Sequence, residues 1–145
     1  MRTVRLLCGL LAAAGLAGTA ADADARGYLG ARAEELPPLR IGIGEDGYGM
    51  EPKEYRLETG RGYVLTVRST GLVECELVMR EFLDNVWIRQ LQAGEVEFRV
   101  PTVSAIGLDD EGEFSLTFVP IRPGRYEWAC EGLEHQGLVG TFVVE

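Results

Sequence analysis

Four stretches of this chain place an apolar residue at every second position, and that period commits them to strands with one buried face. Leu39, Ile41 and Ile43 alternate with Arg40 and Gly42, and Tyr63, Leu65 and Val67 with Val64, Thr66 and Arg68. Val96, Phe98 and Val100 alternate with Glu97 and Arg99, and Phe114, Leu116 and Phe118 with Glu113, Ser115 and Thr117. Gly60-Arg61-Gly62, Asp109-Asp110-Glu111-Gly112 and Pro123-Gly124 supply turns between strands. Many short strands with Gly and Pro turns imply an all-β, antiparallel two-sheet sandwich. Its apolar faces predict one shared core of Phe98, Phe114, Leu116, Phe118, Tyr126, Trp128 and Phe142, with Trp87 in the core or at its rim. The stretch Glu81 to Leu91 reads two ways. Phe82, Leu83, Val86, Trp87 and Leu91 suit a short helix, Val86 and Ile88 a strand, and periodicity does not choose between them.

Arg2 and Arg5 precede the apolar run Leu6 to Ala17, and the small-residue sites Ala21-Asp22-Ala23 and Ala23-Asp24-Ala25 follow, the pattern of a secretory signal peptide over residues 1–25. The run is shorter than the roughly 20 residues of a membrane-spanning helix, and no later run is longer, so no transmembrane segment is predicted. Cys8 lies too near the start of the run to be a lipoprotein acceptor. The product is expected to be periplasmic or secreted. Residues 26–51 form an N-terminal arm and first strand, in which Pro37-Pro38 disfavours helix. Residues 52–145 form the main domain, to which the strand near 39–43 is also assigned; this is enough chain for one core and not for two.

The chain carries 23 acidic and 14 basic side chains, a net charge of −9. Cleavage removes two arginines and two aspartates, so the charge survives it. Such a surface repels nucleic acid and anionic lipid; basic partners and metal cations fit it better. Of three cysteines, Cys75 and Cys130 remain, in a compartment where disulfides persist.

Tyr126, Trp128 and Cys130 fall on one side of a period-two strand, so the thiol at the strand's end points the same way as two core aromatics. His135, five residues on, is the only histidine. Pro123-Gly124-Arg125-Tyr126-Glu127-Trp128-Ala129-Cys130, His135 and Gly140-Thr141-Phe142-Val143-Val144 resemble, in this order, the run in which cupredoxins keep their copper ligands. The resemblance covers about residues 52–145, with Pro52, Tyr55, Leu57, Gly60, Tyr63, Leu65 and Val67 at its opening and Leu116 to Pro120 before the final motif. It implies a Greek-key, cupredoxin-like sandwich.

Carried over residue by residue, the resemblance makes Cys130 the copper thiolate and His135 an imidazole ligand. Glu74 or Cys75 stands where the family's other imidazole falls, and Leu138 or Val139 where an axial methionine often stands. The usual blue site uses two imidazoles, a thiolate and a weak axial sulfur. Cys130, His135, Cys75 and Glu74 are thus the implied metal ligands, in a site that prefers Cu(I) and lacks the intense type 1 colour. Glu74-Cys75-Glu76 with Arg80-Glu81 is also similar to the cupredoxin-like domains of periplasmic iron-uptake proteins, where carboxylates replace imidazoles, which adds iron to copper as a candidate cofactor. The same frame brings Cys75 and Cys130 to one end of the sandwich, so a Cys75–Cys130 disulfide with no metal competes with ligation.

The residues also carry plainer readings. Glu74 and Glu76 flank Cys75 on a strand and point away from it. His135, between Glu134 and Gln136, suits an exposed loop as well as a ligand, and Met50 and Met79 suit core filling better than thioether ligation. The acidic run 109–113 lacks the ligand spacing of a calcium loop. No Ser or Cys has a histidine and carboxylate partner by motif, so the chain is not read as an enzyme. Two functions remain open. One is an exported protein that binds a metal ion, copper first, for carriage, storage or electron transfer, with a periplasmic redox or transport protein as partner; the other is a metal-free interaction module stapled by the disulfide.

Overall fold

The computed structural model describes residues 32–145, so the signal peptide expected over 1–25 lies outside the described residues. In chain order the elements are β1 Glu34–Glu35, β2 Leu39–Ile43, β3 Gly49–Glu51, β4 Glu54–Leu57, β5 Tyr63–Thr70 and β6 Cys75–Val78, then the short helix α1 Arg80–Leu83. They continue with β7 Val86–Ala93, β8 Val96–Phe98, β9 Ile106–Leu108, β10 Glu111–Pro120, β11 Gly124–Cys130 and β12 Val139–Val144. One sheet runs β3-β2-β5-β10-β7-β8, with β1 also on β5, and the other runs β4-β12-β11-β6-β9. Most ladders are antiparallel; β1 and β2 lie parallel to β5, and β4 parallel to β12. This is the all-β, two-sheet sandwich that the alternation implies.

The two sheets close on an aromatic core. Phe82, Phe118, Trp128 and Phe142 are fully buried. Phe142 of β12 stacks on Phe82 at 3.9 Å between ring centroids and lies 4.3 Å from Trp128 of β11, while Phe118 of β10 meets Phe82 edge-on at 5.2 Å. Both offset and edge-on pairs add to the burial of the rings. The ambiguous stretch resolves into both of its readings: α1 turns Phe82 and Leu83 inward, and β7 begins at Val86.

One core residue is a correction. Phe98 is 43% exposed and its neighbour Val96 55%. β8 is the last strand of its sheet, and the five-stranded sheet that would cover it ends at β9. Alternation put Phe98 on the correct face, but it cannot say whether anything lies over that face. Trp87 is likewise exposed, on the side of β7 opposite the buried Val86 and Ile88.

Candidate functional site

β11 delivers Tyr126, Trp128 and Cys130 to the core on one side of the strand. Cys130 stands opposite Leu77 of β6 in the ladder. Two residues along β6 from Leu77, Cys75 shares its buried face, while Glu76 between them is exposed. The period of the strand therefore aims both sulfurs into the same gap, and with Cα atoms 5.0 Å apart they form a disulfide. Both cysteines are buried to within 1%.

The loop beyond Cys130 folds back tightly on it. Leu133 N–H donates to Cys130 O, Gln136 N–H to Leu133 O and Gly137 N–H to Glu134 O, and Cys130 N–H donates to Leu138 O at 2.9 Å. Glu131 N–H donates to Glu76 O, tying the loop to β6. Gly137 holds φ at 90°, a conformation that favours glycine. The Lys53 ammonium donates to its carbonyl, and partial burial lowers the Lys53 pKa. Leu138 is wholly buried below the loop.

His135 lies on the exposed 3-10 turn Glu134–Gln136, and Glu74 is exposed just before β6 begins at Cys75, not on the strand itself. Of the four expected ligands the fold brings together only Cys75 and Cys130, as bonded sulfurs without a thiolate between them. Among the described residues no group of three or more His, Cys, Asp or Glu side chains is placed to share an ion. The donors do not fit a cupredoxin copper ion: its thiolate is a disulfide sulfur, its imidazole is out in solvent, and a buried leucine stands where an axial sulfur often is. Sequence reasoning assigned Lys53 no role, and nothing in its local pattern signals that its ammonium reaches across to residue 137.

No protein-family model matches the chain, and no curated protein matches it. Among solved structures it is similar to the multicopper oxidase of Pseudomonas thermotolerans, with 16% identity and a TM-score of 0.53 over 78% of this chain and 30% of that one. The McoA multicopper oxidase of Aquifex aeolicus matches at 10% identity and a TM-score of 0.52, over 78% of this chain and 29% of that one. Auracyanin from the photosynthetic bacterium Roseiflexus castenholzii matches at 19% identity and a TM-score of 0.49, over 80% of this chain and 99% of that one. The chain spans less than a third of either oxidase. At such identities the likeness is one of fold, and that fold is cupredoxin-like; it does not test the narrower likeness with iron-uptake domains.

Proposed function

We propose that this is an exported, metal-free interaction module, in which the Cys75–Cys130 disulfide closes the end of the sandwich where a cupredoxin carries copper. The observation that carries this reading is the bond itself: it removes both candidate thiolates from ligation and leaves His135 alone in solvent. Export is supported by Arg2, Arg5 and the apolar run after them, and by a buried disulfide, which persists in oxidising compartments. An interaction module acts through its surface, and a net charge of −9 makes this surface acidic.

The test is a thiol titration and metal analysis of protein prepared under oxidising conditions, followed by thermal melts with and without Cu(I). The expected result is no reactive thiol, no bound copper or iron and no copper-dependent rise in melting temperature. Two reactive thiols together with a melting temperature that rises with Cu(I) would return the protein to the metal-carriage reading, since a ligand that binds only the folded state must stabilise it.

A further inference from the structure

β9 is the last strand of the five-stranded sheet. It pairs with β6 through Cys75–Leu108, Glu76–Gly107 and Leu77–Ile106, and among the described residues no strand lies on its other side. On that side the seven-stranded sheet runs on. Phe98 pairs with Leu91 and through it lines up with Leu116; Val96 pairs with Ala93 and lines up with Phe114. Leu116 and Phe114 are buried, so Val96 and Phe98 sit in core-facing rows, yet about half of each is open to solvent. Beside β9, where β7 ends and β10 begins, a cleft is lined by Ala93, Phe114, Ile106 and Leu108 and by the carboxylate-bearing Asp109, Asp110, Glu111 and Glu113.

Charge says what would cover Val96 and Phe98. Asp109, Asp110 and Glu111 follow β9 directly and Glu95 precedes Val96; none of the four makes an ion pair with the described residues. A second copy of this chain would set the same carboxylates against each other. A basic segment would neutralise them.

We propose that the β8–β9 side is a docking edge for an extended segment of a partner protein, with apolar residues at every second position and Lys or Arg between. It adds beside β9 as a further strand, its backbone bonding the free edge and its apolar face covering Val96 and Phe98. The acidic residues at the end of β9 hold its basic side chains and speed its approach. This deepens the reading of the domain as an interaction module, and it can fail while the thiol count and copper melts come out as expected.

The test is a titration of isotope-labelled protein with a short synthetic peptide that alternates lysine and valine, followed by NMR, with a glutamate-valine peptide as control. Shifts and new amide protection are expected at Ile106–Leu108 and Val96–Phe98 with the lysine peptide alone. Phe98→Ser should weaken binding about tenfold, and Asp109→Asn with Asp110→Asn should flatten its salt dependence. Three results overturn the proposal: no shifts at either strand at any peptide concentration reached; shifts spread over the acidic surface with Phe98→Ser binding as tightly as the parent; or a concentration-dependent homodimer that buries β9.

Discussion

Tyr55 joins the arm to the core. Its ring lies 5.4 Å from Trp128 and 5.6 Å from Phe142, while its hydroxyl donates to Pro37 O at 2.8 Å. Tyr55→Phe keeps the ring and removes the bond, and should lower unfolding free energy by about 1 kcal/mol in a denaturant titration with unchanged slope. Burial raises the Tyr55 pKa, and that of Tyr63, above the ordinary value of about 10. A group whose folded pKa is raised contributes stability that is complete below its unfolded pKa and is lost as pH climbs through the folded one. Stability should therefore fall above about pH 10, and less steeply in Tyr55→Phe, with the remaining slope left to Tyr63; an identical alkaline slope in the variant refutes the assignment. Gly140 faces Trp128 across the β11–β12 ladder, and a Cβ there would collide with the indole and stand 2.8 Å from Lys53 O. Gly140→Ala should destabilise by roughly 1–3 kcal/mol and shift the tryptophan emission, since a packed core has no room for one more carbon.

α1 is too short to be read from periodicity, because four residues make little more than one helical turn. It nevertheless carries Phe82 into contact with rings of both sheets, and the Asn85 side chain closes it by donating to Glu81 O. Phe82→Ala should destabilise by roughly 3–5 kcal/mol, whereas Phe98→Ser on the open overhang of β8 should stay within about 0.5 kcal/mol of the parent. Equal losses in calorimetry would mean that β8 is covered after all. This contrast marks what alternation can reveal. It placed β2, β5, β10 and β11 and the inward faces of Phe114, Phe118 and Cys130, because a period of two is written in the side chains themselves. It was silent on β9, whose three residues are too few to show a period, and on cover, which depends on where the opposite sheet stops. It likewise could not choose between bonded and ligating sulfurs, since a strand face brings Cys75 and Cys130 together in either case.

At the scale of the whole molecule, the disulfide joins β6 to β11 across 55 residues of sequence. Restricting a loop of that length in the unfolded chain should stabilise the fold by roughly 2–4 kcal/mol, whatever the balance of entropy and solvation behind it. A reducing agent should therefore lower the melting temperature of the parent, and do so slowly or only with partial unfolding, because both sulfurs are buried. The double variant Cys75→Ala with Cys130→Ala should melt near the reduced parent and ignore the reductant. It separates the staple from any ligand effect: Cu(I) has no sulfur pair to find in the variant, so a copper-dependent rise in the reduced parent that is absent from the variant would assign the end of the sandwich to metal. Reduced parent and double variant are expected instead to melt together with and without Cu(I), and His135→Ala is expected to leave both unchanged, because the imidazole stands on an exposed turn apart from the buried sulfurs.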